Sequence, residues 1–141
     1  MPTLARYIFG MHDRGAEDLM LNAGKPGWVL VTAKASDGGA DYTDLSNRGL
    51  GVIVRLNHGY GSDGTIPASA QYDAFAQQCA NYVGSSRGAN IWIIGNETNL
   101  RSERPGNSDS NPGEVLVPTL VAQCFAKCRA AIRRVPGHEQ D

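Results

Sequence analysis

Four times along this chain a short apolar run passes through a polar, glycine-containing loop into a helical pattern. The runs are Arg6-Tyr7-Ile8-Phe9-Gly10-Met11, Trp28-Val29-Leu30-Val31-Thr32-Ala33, Val52-Ile53-Val54-Arg55-Leu56 and Ile91-Trp92-Ile93-Ile94. Their β-branched and aromatic content reads as strands buried on both faces rather than as half-solvated ones. Helices are expected at Ala16 to Leu21 and around Tyr42 to Asn47, then in two longer stretches. The first of these carries Pro67 in its opening turn, followed by an apolar stripe of Tyr72, Phe75, Ala76, Cys79, Tyr82 and Val83. The second opens at Pro118, presents Val121, Cys124, Phe125, Cys128 and Ile132, and is stopped by Pro136-Gly137. Apolar strands alternating with one-sided helices predict an α/β fold with a parallel sheet. Four βα units correspond to half of an eight-stranded barrel, which takes roughly 250 residues when complete. The expected architecture is therefore a parallel (βα)4 half of a TIM-type barrel, with helices on its outer face, filling residues 1–141 as one domain. A small flavodoxin-like sheet is the alternative.

Composition excludes several classes. With 13 basic and 14 acidic side chains in 141 residues, no basic face is available to match nucleic-acid phosphates. No apolar run approaches the roughly 18 residues that cross a bilayer. The first residues, Met1-Pro2-Thr3-Leu4-Ala5-Arg6, lack a basic segment leading into an apolar one, so no secretory signal is expected. Cys79, Cys124 and Cys128 have no zinc-type spacing and read as small buried hydrophobes.

Polar residues collect at one end of the expected sheet. After the four runs come His12 and Asp13, Ser36 and Asp37, Asn57 and His58 just beyond Arg55, and Asn96, Glu97 and Asn99. The other strand ends carry Gly27, Gly51 and Ala89-Asn90, which are turn residues. Parallel α/β folds bind ligands at the C-terminal strand ends, so this asymmetry marks a site. Glu97 follows four apolar residues and is expected at a poorly hydrated rim, which favours a protonated carboxyl suited to general-acid work. A helix N-cap role or an ion pair with Arg101 or Arg104 is the structural alternative. Arg55, a charge within a strand, needs a partner, and Asp13 and Glu97 are in reach. His12, His58 and Asp13 lack the pairing of a metal site and are expected to bond substrate; no metal or cofactor is implied. Gly59, Gly61 and Gly64 form a G-x-G-x-x-G, but Pro67 delays the helix and no acidic strand end follows about 20 residues on. The stretch from Arg101 to Gly113 reads as a long flexible loop.

Ile91-Trp92-Ile93-Ile94-Gly95-Asn96-Glu97-Thr98-Asn99 resembles the fourth-strand motif of clan-A-type (β/α)8 glycoside hydrolases, whose strand four ends in Asn-Glu. Val54-Arg55-Leu56-Asn57-His58 is similar, more loosely, to their substrate-binding strand ends. The resemblance implies hydrolysis of O-glycosidic bonds, with Glu97 as general acid/base and Asn96 bonding a sugar hydroxyl. It implies an oligosaccharide or glycoside substrate, with His12, Asp13, Arg55, Asn57, His58 and Asn99 around it and Trp92 in the core or behind the site. Retaining members carry their nucleophile on strand seven, which this chain does not contain. Asp13 and Asp37 are the available second carboxylates, and neither matches the family position. Closure of the half barrel by a second copy is one expectation. A non-catalytic carbohydrate-binding module and a flavodoxin-like nucleotide-binding domain are the competing readings.

Overall fold

The computed structural model describes residues 9–141. In chain order the elements are β1 (Gly10–His12), α1 (Glu17–Asn22), β2 (Trp28–Lys34), α2 (Thr43–Ser46), β3 (Gly51–Asn57), α3 (Tyr72–Gly84), β4 (Ile91–Ile94) and α4 (Pro118–Ile132). Arg6, Tyr7 and Ile8 of the first apolar run lie outside the described residues. The four strands form one sheet, all parallel and in the order β1-β2-β3-β4. The flavodoxin-like alternative would place the second strand outside the first, and this sheet is instead wound in one direction.

The pleat sorts the strand residues onto two unlike faces. Register pairs Val29 with Val52, Val31 with Val54, Ala33 with Leu56, then Val54 with Trp92 and Leu56 with Ile94. This face is the floor of the core. Val29, Val54 and Leu56 are fully buried there beneath Leu45 of α2, Phe75 and Cys79 of α3, and Cys124 and Cys128 of α4. Burying each such aliphatic side chain contributes about 1.5–3 kcal/mol. The opposite face carries Trp28, Leu30, Thr32, Ile53, Arg55, Ile91 and Ile93, none of which joins the core. All are half-buried. The strands are therefore covered on one face, where their apolar runs predicted two.

At the bottom of the open face Trp28 sits between Gly10 and Gly51 in register. A Cβ on Gly51 would fall 2.3 Å from Trp28 Cε3, so the indole lies flat where a side chain would otherwise stand.

Helix boundaries depart from expectation in two places. Pro67 does not open α3; it is buried in the preceding loop, and a single 3-10 turn (Ser69–Gln71) leads into the helix at Tyr72. Phe125 leaves the expected stripe of α4 and is 49% exposed, because Cys124 and Cys128 on the neighbouring face pack against α3. Pro118 does open α4, where its missing N–H costs nothing. Trp92 is a core residue: its ring meets Tyr82 edge-on, and its indole N–H donates to Asp141 at 2.8 Å. Among the described residues no helix is long and apolar enough to cross a membrane.

Candidate functional site

The C-terminal strand ends form a polar rim around the top of the open face. Parallel pairing places His12 and Asp13 at the β1 end, Ser36 and Asp37 past β2, Asn57 and His58 at the β3 end, and Asn96 and Glu97 past β4.

Backbone conformation singles out two of these residues. Among the described residues, Asp13 (φ 65°) and Glu97 (φ 46°) are the non-glycine positions with positive φ. A left-handed residue with a Cβ costs of order 1–3 kcal/mol, and such strain concentrates at functional positions. Asp13 closes β1 by donating its N–H to the Leu30 carbonyl at 2.9 Å. Glu97 follows Gly95, itself at φ 73°, where a Cβ would come 2.6 Å from Ile66 Cγ2. The chain thus kinks twice in three residues on leaving β4. Thr65 holds the kink by donating its hydroxyl to the Asn96 carbonyl.

Glu97 is exposed, contrary to the poorly hydrated rim expected from its four apolar predecessors. Those residues belong to the sheet, whereas the kink turns the chain out into water. Among the described residues Glu97 has no ion pair, so neither Arg101 nor Arg104 neutralises it. Asn99 is also exposed, one turn further along the loop.

Arg55 pairs with neither Asp13 nor Glu97. Its side chain crosses β2 on the open face, and Nη1 lies 3.2 Å from His12 Nε2. A guanidinium only donates, so His12 Nε2 accepts and the ring proton sits on Nδ1, 3.0 Å from Asp13 Oδ2. The result is a relay, Arg55 to His12 to Asp13, with His12 and Asp13 side chains 54% and 70% exposed. Arg55 Nε is buried without a hydrogen-bond partner among the described residues.

Asn57 and His58 take different roles. Asn57 is fully buried, and among the described residues neither its amide nitrogen nor its oxygen has a hydrogen-bond partner. It faces no solvent from which a ligand could approach. His58 is half-buried, edge-on to Phe75 with ring centroids 5.8 Å apart. Burial lowers its pKa below the ordinary imidazole value; Asp63 opposes this shift and Lys34 adds to it.

The glycine-rich loop after β3 closes on itself. His58 N–H donates to Thr65 O at 2.8 Å and Gly59 N–H to Gly64 O at 2.9 Å. The Gly61 N–H donates to the Glu103 carboxylate at 3.1 Å. A carboxylate therefore holds the amide that a phosphate cradle would offer. The loop between β4 and α4 is anchored rather than free along its length: Gly106 N–H donates to Ser62 O, Pro105 is buried, and Glu114 accepts from the Ser69 amide and hydroxyl at 2.7 and 2.6 Å. Thr65, Glu103 and Glu114 are rim-shaping residues that sequence reasoning passed over. Each acts across a long sequence separation, which periodicity does not report. Asp37 accepts from the Lys34 N–H at 3.2 Å and caps the turn after β2.

Among the described residues no group of three or more His, Cys, Asp or Glu side chains is placed to hold a metal ion. A separate cleft lies between the C-terminal halves of α3 and α4, lined by Gln77, Asn81, Ser85 and Arg134, at the opposite end of the strands from the rim. No known protein family, curated protein or solved structure matches this chain.

Proposed function

We propose that the chain is the (βα)4 half of a TIM-type barrel from a glycoside hydrolase, with Glu97 as general acid/base at the end of β4. The observation that carries this reading is the strained, exposed side chain of Glu97, without an ion pair among the described residues, on the polar rim of a one-sided parallel sheet. Sequential strand order, helices on one face only and an apolar opposite face support the half-barrel reading. Along the rim, the Asn96 side chain, Asn99 and His58, and on the β1 side the Arg55–His12–Asp13 relay, offer donors and acceptors to sugar hydroxyls. A general acid/base must be able to reach the glycosidic oxygen, and an exposed side chain on the rim is free to approach one.

The test is hydrolysis of a panel of aryl glycosides by the wild type and by Glu97→Gln. Turnover that vanishes in Glu97→Gln, with sugar affinity largely kept, supports the enzyme. Equal turnover in both overturns it.

The second reading is a sugar-binding module without catalysis. The placing of carboxylates within one copy favours it: Asp13 follows β1 and Glu97 follows β4, the two outermost strands of the sheet, with β2 and β3 between them at about 4.8 Å per step. Glycosidases place their pair about 5–5.5 Å or 6.5–9.5 Å apart. This module would bind oligosaccharides and turn over none of the aryl glycosides.

A further inference from the structure

We propose that the glycoside taken at this rim is an acidic sugar, whose carboxylate or sulfate ester is received by Lys34 and Arg55. The inference rests on the sugar-binding part of the reading above and names the class of sugar.

The strands set the two side chains on one face. Register pairs Thr32 with Arg55 and Lys34 with Asn57. Lys34 therefore stands one step of two residues above Arg55 on the adjacent strand, and the pleat turns both toward the open face. Apart from these two, β1 to β4 carry no Lys, Arg, Asp or Glu. The row below, Leu30, Ile53 and Ile91, is apolar, so both cations lie where the open face meets the rim.

Neither charge is neutralised. Among the described residues no carboxylate forms an ion pair with Lys34 or Arg55. The acidic groups beside them are engaged: Asp37 accepts from the Lys34 main-chain N–H, and Asp13 from His12. Arg55 Nη1 spends its contact on the uncharged acceptor nitrogen of His12, and Nε has no partner among the described residues. A half-buried guanidinium has given up part of its hydration, and a neutral acceptor leaves its charge uncompensated. A sugar hydroxyl would leave it so too. An anionic group supplies charge-assisted hydrogen bonds to the guanidinium and the ammonium together.

The field of Lys34 reaches the β3 end, since burial chiefly lowers the His58 pKa and Lys34 lowers it further, against the pull of Asp63. Asn57, level with Lys34, is sealed from solvent and takes no part. With a net charge of -1, the chain as a whole does not attract polyanions, so the selection is local to this pair.

Titration calorimetry with matched aryl glycosides tests the pair. The set comprises gluco, galacto and manno hexosides in both anomers, each beside its uronide and its 6-sulfate. The acidic forms are expected to bind about tenfold more tightly than their neutral counterparts. In Lys34→Met and in Arg55→Met that ratio should fall toward one. In the wild type it should shrink as sodium chloride rises from ~0.05 to ~0.5 M. A preference confined to uronides or to 6-sulfates supports the pair and says which anion it receives. Equal affinity for acidic and neutral sugars, or a preference that survives both substitutions, overturns the inference and leaves the sugar-binding reading standing. Sodium acetate or sodium sulfate binding as tightly as the acidic sugars also overturns it, because the pair would then be a site for free anions. Binding of no glycoside at all overturns the sugar reading and this inference with it. Acidic sugars held through Lys34 and Arg55 but never hydrolysed uphold the inference, while the catalytic role of Glu97 falls.

Discussion

Arg55 reaches across a whole strand to place Nη1 3.2 Å from His12 Nε2, and that contact decides which nitrogen of the ring carries a proton. Long-range nitrogen–proton correlation spectra should show the Nδ1–H form of His12 in the wild type. In Arg55→Met the preference for this form should be lost. Folding stability should change by less than about 1 kcal/mol, because Arg55 Nε gains no hydrogen bond in return for its burial. Urea unfolding of the two proteins checks the second part.

Asn57 sets two unpartnered amide atoms inside the protein. Leaving buried polar atoms unsatisfied costs about 1–3 kcal/mol, and leucine has nearly the same shape. Asn57→Leu is therefore expected to raise the urea midpoint, equivalent to about 1–2 kcal/mol. A drop would mean the amide is bonded in solution.

Strain at Glu97 predicts a substitution pattern opposite to that of an ordinary loop residue. Glu97→Gly should hold or raise the melting temperature, since relief of a left-handed residue, roughly 1–2 kcal/mol, exceeds the added freedom of the unfolded chain, about 0.5–1 kcal/mol. Glu97→Val should lower it, because a β-branched residue tolerates positive φ worst. Glycoside turnover should vanish in both.

His58 makes stability depend on pH in a defined window. Its folded-state pKa is lowered, chiefly by burial, so the unfolded chain takes up the proton first as pH falls. Its contribution is intact above the unfolded value of about 6.5 and is lost as pH drops from there toward the folded pKa. Unfolding free energies measured across that range should slope downward toward acid. In His58→Gln the slope should be shallower by up to one proton.

Cys79, Cys124 and Cys128 are buried at 0%, 1% and 0% exposure. The hydrogen bond each makes with Cys128, and then burial, push Cys79 and Cys124 upward, away from the reactive thiolate. A chromogenic disulfide reagent should find no thiol in the native protein and three after denaturation.

Where local pattern decides, the sequence was legible. Ile91 to Ile94 is a strand with its expected bounds, and Pro118 opens its helix, because β-branched runs and a proline at the first turn act within a few residues. The apolar stripes of α3 and α4 were visible for the same reason, although Phe125 fell outside the interface that helix–helix packing selected. The rim was legible as a set of strand ends. Its internal wiring was not, since Arg55 passes over β2 to His12 and Thr65 reaches Asn96 from another loop. Nor did four apolar residues before Glu97 report its hydration, which depends on two left-handed residues in a row of three. A run buried on one face and a run buried on two look alike when both are rich in valine and isoleucine, so the open inner face followed from the count of four βα units and not from the runs themselves.

The indole of Trp28, lying flat over Gly51, gives the open face a stopper. Arg55 belongs to the row four residues above, a climb of about 13 Å at roughly 3.3 Å per residue. Between them lies the apolar row of Leu30, Ile53 and Ile91, so the open face passes from an aromatic foot through aliphatic side chains to a guanidinium, and polarity rises only toward the rim. Trp28→Ala would remove that foot without touching any group at the strand ends.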